Sequence, residues 1–191
     1  MIDKCDDITM ENLKKITDFS EFVCFCGQIS DPIYHANFLS LLEHVSKIKD
    51  KKFSINTNGT RKKIEWWKRA FELTKDNVKW VFGLDGTDQE TANIHRVNTR
   101  FDEVMEVMKL GASMGCYIEW QFIVFRHNEH QLELAKSMAK EIGVDLNVRI
   151  SGRWLDSYVE KHKIYPPSDK WTSMNGISKK IIFTYRNKNV L

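Results

Sequence analysis

Strand-length apolar runs that stop at a glycine or an Asx-Gly turn, each followed by helical spacing, recur down this chain and constrain its fold more than any other feature. The first runs from Glu21 to Pro32. Its aromatic and β-branched part breaks at Gly27 into a polar turn ending in Asp31-Pro32, and it reads as a buried strand delivering a loop. Phe53 to Thr57, stopped by Asn58-Gly59, and Val78 to Leu84, stopped by Asp85-Gly86, repeat the pattern, as do Cys116 to Phe125 and Leu146 to Ile150. Helical stripes lie between them: Phe38, Leu41, Leu42 and Val45; Ile64, Trp67, Ala70, Phe71 and Thr74; Phe101, Val104, Met105 and Met108; then Leu132, Ala135 and Met138, with Asn128 read as a helix cap and Gly143 as the stop. A short opening helix carries Met10, Leu13 and Ile16, with Thr9 in capping position.

About five strand-helix units of this length imply a parallel sheet joined by right-handed crossovers, with the helices outside. Either a partial (β/α) barrel or an open doubly wound sheet satisfies that grammar. The later strands favour the barrel because they alternate: Ser54, Asn56 and Asn58 against Phe53 and Ile55; Gly83 and Asp85 against Phe82 and Leu84; Glu119 and Gln121 against Ile118, Trp120 and Phe122; Asn147 and Arg149 against Val148 and Ile150. Strands of a doubly wound sheet are apolar on both faces, so one wet face per strand suits a TIM-like half barrel with a polar lumen. Residues 1–20 form an N-terminal helix segment, 21–152 the half barrel and 153–191 a C-terminal extension, where Lys179 to Tyr185 adds a further strand. Trp66 and Trp67, adjacent on a helix, are expected to divide between surface and core.

The chain has 191 residues, enough for one core. A net charge of +3 with acids and bases interspersed offers no basic stripe for nucleic acid. No segment approaches the roughly 20 apolar residues that span a bilayer, and the N-terminus lacks signal-peptide character, so a cytoplasmic protein without membrane contact is expected. Of the four cysteines, Cys24 and Cys26 share one strand face about 6.5–7 Å apart, a poor disulfide geometry and no usual zinc spacing; they read as small buried hydrophobes, and no metal ligand set is assigned.

The order of loop signals resembles the core of radical S-adenosylmethionine enzymes, in particular the SPASM-like branch with an extension for auxiliary clusters. Gly27 with Ser30-Asp31-Pro32-Ile33-Tyr34-His35 is similar to that family's Gly-Glu-Pro loop, Thr57-Asn58-Gly59 to its Thr-Asn-Gly, and Gly83-Leu84-Asp85-Gly86, followed by Ile94-His95-Arg96, to its Ser-x-Asp-Gly. Val124 to Asn128 resembles the next strand and helix, so that the likeness covers roughly Phe22 to Trp154. It implies S-adenosylmethionine as cofactor, with Gly27, Ser30 and Asp31 receiving its amino-acid end and Asn58 or Asp85 approaching that end or the ribose. Glu119, Gln121 and Arg149 would line the substrate lumen, Arg149 pairing with a carboxylate.

Two departures qualify what the family implies. Ser30 and Asp31 replace the expected Gly and Glu, and the C-x-x-x-C-x-x-C loop that holds the catalytic [4Fe-4S] cluster is missing along with the family's first strand. The expectation is a truncated or split radical enzyme, active only with a cluster segment supplied by a partner chain or an N-terminal piece pairing along the Phe22 to Gly27 edge. A non-catalytic binding module is the alternative, and acid-base work by Asp31, His35 and Glu119 a third reading. Asp31 is expected to serve a ligand rather than the fold, and Gly27 to tolerate no branched side chain.

Overall fold

A computed structural model describes residues 7–27, 30–151, 159, 161–168 and 183–185. Helix α1 (Met10–Phe19) opens the chain, its first turn closed by Thr9, whose hydroxyl accepts from the Asn12 N–H. Strands β1 (Phe22–Phe25), β2 (Lys52–Thr57), β3 (Val78–Gly83), β4 (Tyr117–Val124) and β5 (Asp145–Ile150) pair in parallel, in sequence order. Between them run α2 (Phe38–Ser46), α3 (Ile64–Thr74), α4 (Gln89–His95) with α5 (Phe101–Ser113), and α6 (Leu132–Ile142). Strict sequential order means that every right-handed crossover turns the same way and puts its helices on one face. The sheet is therefore an open part of a (β/α) barrel rather than a doubly wound sheet.

The core occupies the helix-facing side. Phe53 and Ile55, Trp80 and Phe82, Trp120 and Phe122, then Leu146 and Val148 face Leu41, Leu42, Trp67, Phe71, Val104, Met108, Ala135 and Ala139, all buried. Trp67 packs between Phe71, Trp80 and Phe82 with ring centroids 5.5 Å apart, while Trp66 is half-buried beneath the Lys62 ammonium, so the two tryptophans divide as expected. α4 was not expected; its seven residues carry too few apolar positions for a stripe, and Asp88 fixes its start by accepting from the Thr91 N–H.

Three expectations change. β1 lies at the sheet edge, as its missing neighbour implied, but it is not a buried strand: Phe22 is 57% exposed, and of its four residues Phe25 alone is buried. Cys24 and Cys26 are correspondingly exposed rather than small core hydrophobes. Asn128 holds the expected cap position, of a short 3₁₀ turn (Glu129–Gln131) that leads into α6, but its side chain makes no cap bond and instead binds the backbone of Phe125, Asp85 and Ile123. At the opposite edge β6 (Phe183–Tyr185) pairs antiparallel with β5, giving the strand expected in the C-terminal extension a definite place. The rest of 153–191, including Arg153 and Trp154, falls largely outside the described residues, as does Cys5.

Candidate functional site

Loops following the parallel strands converge on a cavity of about 500 Å³ at their carboxyl ends, where ligands of this architecture gather. Its walls are Cys26, Gly27, Ser30, Asp31 and Pro32 after β1, Asn56, Thr57 and Asn58 from β2 and its loop, Val81 and Gly83 on β3, Gln121 on β4, and Arg96 just beyond α4. The turn after β1 doubles back so tightly that a Cβ on Gly27 would fall 1.4 Å from the Ser30 carbonyl oxygen. No side chain fits there, in line with the expectation for this glycine.

Asp31 is built into the fold. Pro32 starts a 3₁₀ turn (Pro32–Tyr34) that Asp31 caps, one carboxylate oxygen accepting from the Ile33 N–H at 3.2 Å. Its other oxygen accepts from the Thr57 hydroxyl at 2.8 Å and the Asn58 N–H at 2.6 Å, clamping the β1 loop to the end of β2. The idea of a loop carboxylate with no structural duty is thus corrected: three donors already hold it.

Asn58 links Asp31 to the next charge, because its side-chain oxygen accepts from Arg96 Nη1 at 2.7 Å. Arg96 Nε donates to Asp85 Oδ2, also at 2.7 Å, and His95 Nδ1 shares that oxygen at the same distance. The other oxygen of Asp85 accepts from the Ile123 N–H at 2.8 Å. Asp85 has no exposed surface. Burial pushes its carboxyl up, but the Arg96 guanidinium, the bond and charge of His95 and the Ile123 amide together outweigh burial and hold it below the usual carboxylate range. Gly83 makes room for this arrangement: a Cβ there would meet the Arg96 guanidinium carbon at 2.6 Å.

Of the five residues assigned to a cofactor by resemblance, Gly27, Ser30, Asp31 and Asn58 therefore share one cavity, whereas Asp85 sits behind it and orients Arg96. Arg96 is the wall residue that loop motifs alone did not single out; its signal was the His95-Arg96 pair closing a short segment eleven residues after Asp85. Of the lumen residues, Gln121 reaches the cavity. Glu119 lies below, buried and held by Lys79 at 3.1 Å and by the Asn147 amide at 2.9 Å. Arg149, on β5, is not part of the cavity wall; its Nε is sealed from solvent and has no hydrogen-bond partner among the described residues. His35 is turned away from acid-base work: its Nδ1 accepts from the Asn37 N–H, leaving Nε2 to donate to the Ile8 carbonyl at 3.0 Å.

Zwitterionic ligands suit this wall. An acceptor-rich carboxylate at Asp31 and a guanidinium at Arg96 flank Asn58, matching an ammonium at one end and a carboxylate at the other. An iron-sulfur cluster does not suit it. Among the described residues no three Cys, His, Asp or Glu side chains converge, and Cys24 and Cys26 supply only two thiols on one strand. No helix among them is long and apolar enough to cross a membrane.

Fold and cavity together define a half barrel of the (β/α) class with a cavity at its strand ends. A family model described as the radical SAM superfamily matches residues 6–151, and the chain belongs to that superfamily. Membership implies S-adenosylmethionine and an iron-sulfur cluster as the family's reagents. Among solved structures it is similar to Streptococcus suis SuiB bound to S-adenosylmethionine, with a TM-score of 0.61 and 16% identity over 81% of this chain and 39% of that one. Similarity to SuiB bound to the precursor peptide SuiA is comparable, with a TM-score of 0.62 and 15% identity over 82% of this chain and 39% of that one. At these identities the likeness is one of fold, and the chain spans well under half of SuiB's length. No curated protein matches the chain by sequence.

Proposed function

We propose that the cavity binds S-adenosylmethionine and that the chain is the cofactor-binding half barrel of a cytoplasmic radical enzyme of the SPASM-like branch. The observation carrying this reading is the Asp31-Asn58-Arg96 wall, with charges of opposite sign on one rim of a cavity at the strand ends. The methionyl ammonium would lie against Asp31 and the Ser30 carbonyl, and the carboxylate against Arg96, with Gln121 toward substrate. Bound S-adenosylmethionine supplies, with a reduced cluster, the radical chemistry of the family; this chain's part is to hold and orient it. The cluster cysteines would come from a segment outside these 191 residues, paired along the open edge of β1. Residues 21–152 would then be the barrel unit, 1–20 its leading helix and 153–191 its extension.

Titration calorimetry tests the binding: one saturable site is expected, and absence of heat at millimolar S-adenosylmethionine contradicts the reading. Gly83→Ala sharpens the test. Its Cβ must displace the Arg96 guanidinium, so affinity is expected to fall at least tenfold while urea denaturation shows a loss of about 1–2 kcal/mol. A non-catalytic module is the second reading, favoured by the cysteine spacing. Anaerobic reconstitution with iron and sulfide is expected to leave the chain alone without a cluster, and co-expression with a C-x-x-x-C-x-x-C segment then divides the readings: a bound cluster supports the enzyme, none supports the module.

A further inference from the structure

The two thiols at the exposed edge have no part in the cofactor reading. Cys24 and Cys26 are both free and exposed. Cys24 pairs in register with Ser54 on β2, on the polar face of the sheet, and Cys26 follows two residues later as part of the cavity wall. Burial pushes the Cys24 thiol up, and the neighbouring Cys26 pushes it further. Two residues of a regular strand sit at the outer limit of the Cα spacing a disulfide accepts. β1, however, ends at Phe25, so Cys26 lies outside the ladder and its spacing from Cys24 is not fixed by strand pairing. Cys116 provides the contrast: it is buried, its thiol is pushed up to about 11, and it donates to the Phe71 carbonyl.

We infer that Cys24 and Cys26 form a reversible thiol-disulfide site on the open face of β1, closed by exchange with a small-molecule disulfide such as oxidised glutathione. Cys26, at the cavity wall, attacks one sulfur of the external disulfide and releases one thiolate; Cys24 then attacks the mixed disulfide and releases the second. Two protons leave the protein thiols, and two electrons pass to the external disulfide, which becomes two thiols. A ring this small constrains little of the unfolded chain, so the bond is of the reducible kind rather than a structural staple. Closing it moves Cys26 and hence Gly27, which has no free space against Ser30, so the shift passes to Asp31 and the cavity wall. This last consequence rests on the cofactor reading; the thiol site itself does not.

The test uses the full chain carrying Cys5→Ser, equilibrated over a series of oxidised-to-reduced glutathione ratios and read by intact mass and thiol count. The expected oxidised species has lost two hydrogens and two titratable thiols, has both cysteines linked within one proteolytic peptide, and returns to the starting mass with dithiothreitol. In that background Cys24→Ser is expected to stop at a glutathione adduct on Cys26. A stable adduct when both cysteines are present, or two free thiols at every ratio, overturns the inference. S-adenosylmethionine titration of each form then reads the coupling, with at least threefold weaker binding expected after oxidation. Equal affinity removes the coupling, whereas no binding in either form removes the cofactor reading and leaves the mass result to decide the thiol site.

Discussion

Asp85→Asn is expected to lower the unfolding free energy by about 3 kcal/mol, because it breaks a buried ion pair while leaving the partner charge in place. The carboxylate accepts from Arg96, His95 and the Ile123 amide, and all three donors point at a site without exposed surface. An asparagine amide keeps one acceptor oxygen, so its NH₂ is turned either against the Ile123 N–H or against Arg96 and His95 together. Arg96 is then no longer fixed over Gly83, so S-adenosylmethionine affinity is expected to drop with stability; urea denaturation and calorimetry on the same variant check both.

The same carboxylate sets part of the acid limb of the stability curve. Its folded value is depressed, so the unfolded chain binds the proton more readily, and the stabilisation is present above the unfolded aspartate value of about 3.9 and lost as pH falls through the lower folded one. Asp88 acts in the same direction, its carboxylate held down first by the Thr91 N–H. His44 and His127 are depressed as well, both chiefly by burial; each is neutral in both states at high pH and is protonated first in the unfolded chain. Their contribution therefore fades as pH drops below about 6.5. Acid titration of stability is expected to show two falling stretches, one below neutrality and one below about pH 4. Asp85→Asn is expected to shrink the second and, because the Asp85 charge raises His127, to deepen rather than remove the first.

Asn128→Ala is expected to cost about 3 kcal/mol, the scale of several buried polar groups left without partners. Asn128 has no exposed surface; its Nδ2 donates to the Asp85 and Ile123 carbonyls, and its Oδ1 accepts from the Phe125 N–H. One side chain thus joins the turn after β3 to the turn after β4. An alanine strands two carbonyls and one amide in a place water does not reach. Asn128→Asp separates the contributions, since it keeps the acceptor for Phe125 but sets a carboxylate against two carbonyls. Thermal unfolding is expected to rank wild type above both variants.

The alternation of strands and helices was legible because the burial that drives folding leaves a periodic trace. Phe53 and Ile55, or Trp120 and Phe122, alternate as a one-sided strand requires, and Trp67, Ala70, Phe71 and Thr74 mark one helical face. The choice of a half barrel rested on the same trace, and the sequential strand order bears it out. What escaped the residue pattern was position within the sheet. β1 has the aromatic content of an interior strand, and the edge along Phe22 to Gly27 was expected only through the family resemblance and its missing first strand. Partner choice was also hidden. Asp31 is a helix-start residue by type, but its bonds to Thr57 and Asn58 cross 26 and 27 positions, and Asn128 reaches back 43 to the Asp85 carbonyl. Arg96 becomes a wall residue only because Asp85 and Asn58 together aim it there.

The most direct test of the central claim is a two-dimensional amide and arginine-Nε spectrum of ¹⁵N-labelled chain titrated with S-adenosylmethionine. The expected result is a set of saturable shifts at Gly27, Asp31, Asn58, Gly83 and the Arg96 Nε–H, with α2 and α3 undisturbed. Shifts confined to the helical face, or an unchanged spectrum at saturating cofactor, would contradict it.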